Sequence, residues 1–455
     1  METKTDYIID AAKYPPFEPD GESEVPRKAY QTSIRQALQK YATRPVMAMM
    51  DACIDCGQCA QACHYYASMP ERELIPAVKA RRLTALLRKY FHPLRARLGL
   101  GADPEAMTEE EIQSLFEASF RHCTLCGKCA LSCPMGINSG EILDLARCVV
   151  NALGRAPAGL VSRVVAACRE GNYVGLSNED FIENMEWIGE EMADEFKLDE
   201  LSVPIDKPGA RALYVPHPLE IRDLPFLLVY ALRTLDASGI DYTLSSEHFD
   251  VVNYAYYQGS KENMMRIARR MIQTAEKMGV EQLILAPCGH GFRVMKWEAE
   301  RFLRQKLPFT VHTIPERVAH YLHTGQLRLR AGTIQEKVTF HDPCNVARRG
   351  GVVQAPREIL RALDVDLVEM LPHGVANYCC GGGGGLSATA EFGKVRMTMG
   401  KAKAEQIRQT GATIVVTSCF NCMTQIQSLN KEYDLGIQIK NILELVAYAI
   451  DDQRK

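Results

Sequence analysis

The sequence predicts a multidomain α+β protein, in which a helical module with two four-cysteine runs precedes two tandem α/β units. Three observations predict this arrangement. The cysteine runs lie in residues 53–63 and 123–133, among segments with helical patterns. After Pro208, short β-rich segments alternate with helical ones, which is typical of a mostly parallel sheet covered by helices. A weak internal repeat divides this second part into units of roughly 205–330 and 331–450.

The composition is that of an ordinary globular protein with an unusual number of cysteines. The 455 residues are 47% apolar and 24% charged, and the formal net charge is −3, which argues against binding to nucleic acid. No apolar segment is long enough for a transmembrane helix, and the polar N-terminus shows no export signal. We therefore expect a cytoplasmic protein that associates peripherally with a membrane through partner subunits. In a reducing cytoplasm, sixteen cysteines are expected to be metal ligands rather than disulfides.

The first part of the chain is predicted to be helical after an extended arm. Residues 1–29 contain four prolines and are expected to be either a disordered tail or an arm that docks on a partner. Helical patterns then follow at Ile75–Leu87, Glu109–Phe120 and Glu141–Lys197. Thr108 and Glu111 predict a capping box at the start of the second of these segments.

Short segments rich in β-branched residues predict the strands of the second part. They are Ala210–Val215, Tyr242–Ser245, Gln282–Ala286, Phe309–Ile314, Lys337–His341, Leu367–Leu371 and Thr413–Thr417. Helical patterns at Lys261–Met278 and Phe392–Gln409 precede two of these strands. The segments Gly279–Cys288 and Gly411–Cys419 match each other and form the clearest part of the internal repeat.

The two four-cysteine runs have the spacing of bacterial two-cluster ferredoxins. They read Cys53-x2-Cys56-x2-Cys59-x3-Cys63 and Cys123-x2-Cys126-x2-Cys129-x3-Cys133-Pro134. In this spacing, three thiolates surround one [4Fe–4S] cubane and the fourth reaches the other cluster. The predicted ligand sets are therefore Cys53, Cys56, Cys59 and Cys133 for one cluster, and Cys63, Cys123, Cys126 and Cys129 for the other. A pair of zinc sites is the competing interpretation, since zinc also binds Cys-x2-Cys pairs. His64 departs from the proline expected after Cys63.

A second cysteine group lies in the last α/β unit. Its members are Cys344, the adjacent pair Cys379 and Cys380, and Cys419-x2-Cys422. Adjacent cysteines cannot easily ligate one cubane together, but they can bind different irons of an extended cluster. The run Gly381–Gly385 permits positive φ and a close backbone approach, so Gly381 and Gly382 are expected at the cofactor. A phosphate-binding loop is a weak alternative, because no Lys-Ser/Thr follows the glycines.

This pattern resembles the CCG domain of heterodisulfide reductases. The flanking words His341-Asp-Pro-Cys344, Pro356-Arg-Glu-Ile-Leu360 and Thr417-Ser-Cys419 match as well. A ferredoxin module followed by two CCG units resembles the catalytic subunit of membrane-bound heterodisulfide reductases over residues 45–445. It is also similar to the iron–sulfur subunits of sulfite-reduction-associated and high-molecular-weight cytochrome complexes. The resemblance implies a noncubane [4Fe–4S] cluster that is held by the five cysteines and cleaves a disulfide-type bond.

The first α/β unit departs from the family pattern. It keeps Cys288, which matches Cys419, but Gly291 stands where Cys422 would be, and Leu219 lies near the missing first cysteine. We therefore expect one special cluster rather than two, which favours the relatives from sulfite-reduction-associated or cytochrome complexes. The predicted domains are an arm with a helix, a ferredoxin module, a helical linker, a degenerate CCG unit and a cluster-binding CCG unit, at 1–44, 45–150, 151–204, 205–330 and 331–455.

Disulfide cleavage needs two electrons and usually two protons, so proton donors are expected near the third cluster. Three histidines near strand ends are the candidates, namely His217, His290 and His341. An ordinary structural role is the alternative for each of them. Cys288 is either the remnant of a lost cluster or an additional ligand or substrate-side thiol. Cys148 and Cys168 lie in helical segments and are expected in the core.

The sequence alone leaves three functions open. The first is a catalytic disulfide or trisulfide reductase subunit in sulfur metabolism, acting on a small disulfide or a persulfide-carrier protein. The second is an electron conduit for a flavin-dependent glycerol-phosphate or lactate dehydrogenase that feeds the quinone pool. The third is a scaffold in which the clusters only stabilise a docking domain. No flavin, haem or nicotinamide motif is present, so a membrane cytochrome b-type or quinone-reactive subunit and other redox subunits are the expected partners.

Overall fold

The computed structural model describes residues 25–91, 107–198 and 202–452. Most of the predicted N-terminal arm lies outside these residues. At the start of the described chain, the Val25 backbone N–H donates a hydrogen bond to the Leu153 carbonyl at 3.1 Å. The structure is a mixture of helices and short parallel strands, in agreement with the predicted α+β class.

The first part of the chain is helical, as predicted. Its α-helices are Tyr30–Tyr41, Arg44–Ala52, His64–Ser68, Pro76–Tyr90, Glu109–Phe116, Ser139–Ala152, Ala158–Glu170 and Asn178–Phe196. The predicted capping box is confirmed, because the Thr108 hydroxyl accepts a hydrogen bond from the Glu111 N–H and the Glu111 carboxylate accepts one from the Thr108 N–H. The predicted helix over 109–120 changes to a π-helical turn at Glu117–Arg121, just before the second cysteine run.

One buried side chain ties this helical part to the rest of the molecule. Arg147 lies on the almost wholly buried helix Ser139–Ala152 and is itself fully buried. Its guanidinium group donates hydrogen bonds to four backbone carbonyls, those of Ser119, Cys123, Tyr257 and Gly384, at 2.7–2.9 Å. These carbonyls belong to the π-helical turn, the second cysteine run, the first α/β unit and the glycine run, so Arg147 fixes all four with respect to one another.

The first α/β unit contains a four-stranded parallel sheet. Its strands are β1 (Ala212–Val215), β2 (Tyr242–Thr243), β3 (Gln282–Leu285) and β4 (Thr310–Thr313). The order is β2-β1-β3-β4, and every neighbouring pair is parallel. The two central strands β1 and β3 are buried along their full length, as expected for a sheet covered by helices on both faces.

The second unit has the same strand order with one strand reduced to a single bridge. Its strands are β5 (Val338–His341), β6 (Ile414–Thr417) and β7 (Gln438–Asn441), paired in that order and all parallel. An isolated parallel bridge joins Val338 to Leu367, on the side of β5 that corresponds to β2 in the first sheet. The predicted strand Leu367–Leu371 is therefore wrong in extent. Pro372 follows it directly and has no backbone N–H with which to extend the pairing.

Helices connect the strands in both units. They are Pro218–Arg222, Pro225–Ser238, Tyr254–Gln258, Lys261–Met278, Gly289–Arg293, Ala299–Leu303, Ile314–His323, Gln354–Ala362, Gly393–Thr410, Phe420–Tyr433 and Ile442–Ala449. The predicted helix Lys261–Met278 has the observed bounds, and the predicted helix Phe392–Gln409 is displaced by one residue. The carboxyl ends of β3, β5 and β6 lead into Cys288, Cys344 and Cys419, so the sheets carry cysteines at one edge.

Candidate metal centres

The two four-cysteine runs fold into loops of the same shape. In the first run, Asp55 and Gly57 have positive φ values of 58° and 77°. In the second, Leu125 and Gly127 have φ values of 54° and 73°. Each loop then enters a 3₁₀ helix, Gln58–Ala62 or Lys128–Ser132. Two left-handed residues at matching positions wind each loop tightly, and this winding turns three sulfurs toward one centre.

The eight cysteines of these loops surround two cavities. One cavity is lined by Cys53, Cys56, Cys59 and Cys133. The other is lined by Cys63, Cys123, Cys126 and Cys129. Each cavity takes three cysteines from one run and the fourth from the other run. The structure therefore brings together the same two sets of four that the spacing predicts as ligands.

Positive charge lies close to the second cavity, where thiolates would concentrate negative charge. The buried Lys79 ammonium group donates to the Cys63 sulfur at 3.7 Å and to the His122 carbonyl at 2.8 Å. Burial opposes ionisation of Cys126, but a hydrogen bond with His64 and the charge of Arg348 lower the pKa of its thiol to about 6. His64, which stands where proline is expected, is thus buried beside this cavity.

The five cysteines of the last unit converge at the carboxyl edge of the second sheet. Cys344 follows β5, Cys419 caps the helix Phe420–Tyr433, and Cys422 lies in the first turn of that helix. The sulfurs of Cys380 and Cys422 are 3.6 Å apart. All five side chains are buried, and they form no disulfide with one another.

These five thiols strongly influence one another's ionisation. Hydrogen bonds from Cys344 and Cys380 hold the pKa of Cys379 well below its ordinary value. A hydrogen bond from Cys422 lowers the pKa of Cys419 to about 7. Hydrogen bonds with Cys380 and Cys419, together with burial, raise the pKa of Cys422 well above its ordinary value. The lowered pKa values of Cys379 and Cys419 favour buried thiolates, which need a compensating cation, and soft sulfur donors select iron–sulfur clusters, zinc or copper(I).

The glycine run closes one side of this third site. Gly384 has a φ of 68°, and a Cβ added there would lie 2.6 Å from the Thr124 backbone in the second cysteine run. A Cβ on Gly382 would lie 2.9 Å from the Gln425 side chain. The Gly381 N–H donates to the Cys379 sulfur at 3.4 Å. Gly382 and Gly384 therefore leave no space for side chains where the run packs beside the cysteines, and the place of Gly381 and Gly382 at a cofactor stays a prediction.

The second cavity and the third site are direct neighbours. Cys126 of the second run packs against the buried cluster that contains the five cysteines, and it lies within electrostatic reach of Cys344 and Cys379. The half-buried Arg348 side chain bridges the two sites, because it donates to the Cys126 carbonyl at 2.9 Å and to the Val375 carbonyl at 2.6 Å. The buried His64 also lies within electrostatic reach of Cys379. Groups bound at the two sites would thus be close in space.

The three predicted histidines all lie near the third site. A ring nitrogen of His341 is within 4.8 Å of the Cys380 and Cys422 sulfurs. His290 Nδ1 is 3.0 Å from the Asn421 side-chain nitrogen, on the helix that carries Cys422. The His217 ring stacks on Phe420 with 4.5 Å between ring centroids. Burial lowers the pKa of His290 to about 4 and that of His217 to about 3, so both rings are neutral.

The first α/β unit has no room for a cysteine group of its own. A Cβ on Gly291 would lie 1.6 Å from the Val251 carbonyl oxygen, so no side chain fits at the position that corresponds to Cys422. Cys288 is buried, and burial together with the nearby Cys419 raises the pKa of its thiol. The Gly289 backbone N–H donates a hydrogen bond to the Cys419 sulfur. This end of β3 therefore contacts the third site directly.

Several residues of these sites gave no signal in the sequence. Lys403, Asn377 and Arg348 contact the third site but belong to no motif, and Lys79 and Arg147 fall in ordinary amphipathic helices. Each is brought to its site by long-range packing. Cys148 and Cys168 are buried outside the three sites, which confirms the prediction that they belong to the core.

The comparisons with known proteins agree with this division of the chain. The family model of a 4Fe-4S dicluster domain matches residues 49–137, and that of a cysteine-rich (CCG) domain matches residues 338–427. The chain is 26% identical to the Hdr-like menaquinol oxidoreductase iron-sulfur subunit 2 of Archaeoglobus fulgidus, over 93% of this chain and 83% of that protein. It is 27% identical to one subunit of the dihydromethanophenazine:CoB–CoM heterodisulfide reductase of Methanosarcina barkeri, over 88% and 94% of the two chains.

Within the described residues, no helix combines the length and the apolar character needed to cross a membrane. The two domains account for the three cysteine sites, and both relatives are oxidoreductase subunits by name. The chain is therefore a homologue of the Hdr-like iron–sulfur oxidoreductase subunits, in which a 4Fe-4S dicluster domain is combined with a cysteine-rich CCG domain.

Proposed function

We propose that this chain is the electron-transfer and catalytic subunit of a membrane-associated redox complex that reduces a disulfide or trisulfide substrate. Two [4Fe–4S] cubanes pass electrons to a noncubane [4Fe–4S] cluster in the CCG domain. The position of Cys126 against the buried cluster that contains the five cysteines carries this proposal, because Cys126 is a proposed cubane ligand and the five cysteines are the proposed ligands of the catalytic cluster.

The proposed ligands follow the three groups of cysteines. Cys53, Cys56, Cys59 and Cys133 hold the first cubane, and Cys63, Cys123, Cys126 and Cys129 hold the second. Cys344, Cys379, Cys380, Cys419 and Cys422 hold the third cluster. The domain limits are those expected from the sequence, and 205–330 is a degenerate CCG unit without a cluster. The shared strand order of the two sheets and the closed position of Gly291 support this interpretation.

The donor set fits an iron–sulfur cluster at the third site. Five buried sulfurs exceed the four ligands that a structural zinc ion takes, which argues against zinc. Positive charge from Lys403, Arg348 and Arg396 reaches these sulfurs and offsets part of the thiolate charge. The close approach of Gly382 and Gly384 to their neighbours leaves no space for side chains on that side.

Electrons are proposed to enter or leave at the first cubane, where the protein surface is apolar. Cys56 is exposed, and Ile54 and Met135, which line the same cavity, are 72% and 58% exposed. Leu131 and Met47 are exposed nearby in the chain. Exposed apolar residues around a redox centre are typical of a docking surface. Because one relative is named for menaquinol, we place a quinone-reactive or cytochrome b-type membrane subunit at this surface.

The proposed reaction is R–S–S–R′ + 2 e⁻ + 2 H⁺ → R–SH + R′–SH. When bound, the third cluster would supply electrons one at a time and an iron that accepts a substrate sulfur. The chain itself must hold the substrate and deliver two protons. His290 and His341 are the proposed proton-handling groups, since both are buried beside the cysteines. Cys288, which lies beside Cys419, is proposed as a substrate-side thiol or an additional ligand.

The proposed substrate is a small heterodisulfide or a persulfide-carrier protein in sulfur metabolism. A heterodisulfide is the substrate in the name of the Methanosarcina relative, and the five cysteines on which its resemblance rests are all present here. The first unit lacks a cysteine group of its own, which favours a complex of the sulfite-reduction-associated or cytochrome type.

Iron analysis and EPR spectroscopy test this proposal. We expect about twelve irons per chain, four for each of three [4Fe–4S] clusters, after anaerobic purification. An oxidised-state EPR signal that responds to thiol should be present in the unaltered protein and in Cys148→Ala, which removes a buried thiol that belongs to none of the three cysteine groups. The signal should be absent from the Cys379→Ser, Cys380→Ser double variant. About eight irons and no thiol-sensitive signal in the unaltered protein would contradict a catalytic third cluster and leave an electron conduit.

A further inference from the structure

The side-chain amide of Asn377 has an orientation that its contacts determine. Its oxygen Oδ1 lies 2.6 Å from the Lys403 ammonium group, which can only donate. Its nitrogen Nδ2 lies 2.7 Å from the Asp342 carbonyl oxygen, which can only accept. If the two amide atoms were exchanged, the amide nitrogen would face the Lys403 ammonium group, donor against donor. The amide oxygen would face the Asp342 carbonyl oxygen, acceptor against acceptor. Two independent contacts therefore select the same orientation.

This orientation fixes the protonation of His341. The remaining N–H of the Asn377 amide is directed at His341 Nδ1, which lies 3.3 Å away. Nδ1 must therefore accept this hydrogen bond and cannot carry a proton. In the neutral ring the proton is then on Nε2. Burial and the charge of Lys403 both lower the pKa of His341 well below its ordinary value, which agrees with a neutral ring.

The His341 ring lies beside the third site, and its protonated nitrogen is hydrogen-bonded to no other protein group among the described residues. His341 is fully buried, and its Nε2 has no protein partner among the described residues. A ring nitrogen of His341 lies within 4.8 Å of both the Cys380 and Cys422 sulfurs. A buried N–H without an acceptor is costly, so we expect its acceptor at the third site, either a cysteine sulfur or a group bound there.

We propose that Lys403, Asn377 and His341 form a positioning relay that directs the His341 Nε2–H toward the cluster bound by Cys380 and Cys422. His341 is then a hydrogen-bond donor to cluster or ligand sulfur and is not itself a metal ligand. A metal on Nε2 would place the proton on Nδ1, directly against the Asn377 N–H. This inference rests on the proposed third cluster. It goes beyond that proposal because it assigns a role to His341 and to two residues that belong to no motif, Lys403 and Asn377.

The relay has a consequence for the reduction potential. Each reduction step adds negative charge to the cluster, and an N–H donor stabilises the more negative state. Removing the donor should therefore lower the midpoint potential. Asn377 does not touch the sulfurs in this scheme, so its effect should be transmitted through His341, whereas the charge of Lys403 also reaches the sulfurs directly.

A double-mutant cycle on the midpoint potential tests this transmission. We expect His341→Phe to lower the potential of the third cluster by roughly 59 mV, which corresponds to a tenfold change in the one-electron equilibrium. Asn377→Leu should lower the potential in the unaltered background but add little in the His341→Phe background. Asn430→Leu is the matched control, because its amide pairs with the Ile437 backbone in the same unit and should leave the potential unchanged.

Pulsed EPR of protein with ¹⁵N-labelled histidine provides a second measurement. We expect weak coupling to an exchangeable proton that is lost in His341→Phe. Strong coupling to a histidine nitrogen would show direct ligation and overturn the inference. A fall in potential from Asn377→Leu that persists in full without His341 would also overturn it. An iron count of about eight would refute the third cluster itself, whereas about twelve irons with an unchanged potential would refute only the relay.

Discussion

Replacement of Arg147 by Met should destabilise the protein more than any ordinary single substitution. The guanidinium group is fully buried and donates to the carbonyls of Ser119, Cys123, Tyr257 and Gly384. Met retains much of the side-chain volume but none of the donors. The substitution therefore leaves four buried acceptors without partners, at the junction of the cysteine runs and the glycine run.

The magnitude follows from these four contacts. A hydrogen bond to a charged group contributes about 1.5–3 kcal/mol, so four of them set a ceiling of about 6–12 kcal/mol. The four contacts share one guanidinium group and are not additive, and some of the carbonyls can bind water instead. We therefore expect the free energy of unfolding to fall by about 4 kcal/mol or more in Arg147→Met. Arg147→Lys keeps the charge but has only three donors and no planar guanidinium group. Its free energy of unfolding should therefore lie between those of the unaltered protein and Arg147→Met.

Urea denaturation under anaerobic conditions, followed by circular dichroism and cluster absorbance, measures this effect. With a slope of about 3 kcal/mol per molar urea, the midpoint of Arg147→Met should fall by at least about 1 M. A loss below about 1 kcal/mol, or equal losses for the Lys and Met variants, would refute the idea that the four carbonyl contacts carry the stabilisation.

Two further predictions concern a glycine and a carboxylate. Gly384→Ala should lower the iron content, because its Cβ would lie 2.6 Å from the Thr124 backbone, whereas Gly411→Ala has a similar φ and open space and should retain its iron. Equal iron contents in these two variants would contradict the steric argument. Burial opposes ionisation of Glu141, but the charge of Arg293 lowers its pKa to about 2. Because this pKa lies below the ordinary 4.5, the stabilisation is complete above pH 4.5 and is lost as the pH falls toward 2. Glu141→Gln should flatten the pH dependence of the urea midpoint between pH 2 and pH 4.5. An unchanged pH dependence would argue against a stabilising role for the Glu141 carboxylate.

The cysteine runs were predictable because their spacing is a local property of the chain. The sequence places glycine at the same point of each run, and both Gly57 and Gly127 adopt positive φ in the structure. The crossing of the fourth cysteine follows from the same spacing. The capping box at Thr108 was predictable for the same reason, since both of its partners lie within one helical turn.

The strands were predictable only where burial gives them an apolar pattern. Strand β7 was missed, because Gln438–Asn441 lies at the edge of its sheet and alternates no apolar residues. Leu367–Leu371 has the composition of a strand, but only Leu367 forms a bridge. Whether a segment of this kind forms a strand depends on the strands with which it can pair, and not on its local composition.

The relay beside the third site was not predictable from the sequence. Lys403 lies on a helix whose pattern gives no reason to bury an ammonium group, and Asn377 is 26 residues away from it in the chain. Only the packing of the helix Gly393–Thr410 against the segment that contains Asn377 brings the two residues together. His341 was predicted near the site from its strand end, but its tautomer depends on these distant partners.

The first α/β unit shows how the loss of one set of ligands is linked to the environment of another. Its Gly291 is closed off by the Val251 carbonyl, so a cysteine there would require the loop to move. The neighbouring Gly289 N–H donates to the Cys419 sulfur, and the Phe420 N–H donates to the Pro287 carbonyl at 2.9 Å. A cysteine group at the end of β3 would displace these contacts. The same backbone that excludes a cluster from the first unit therefore supports the sulfur ligands of the second.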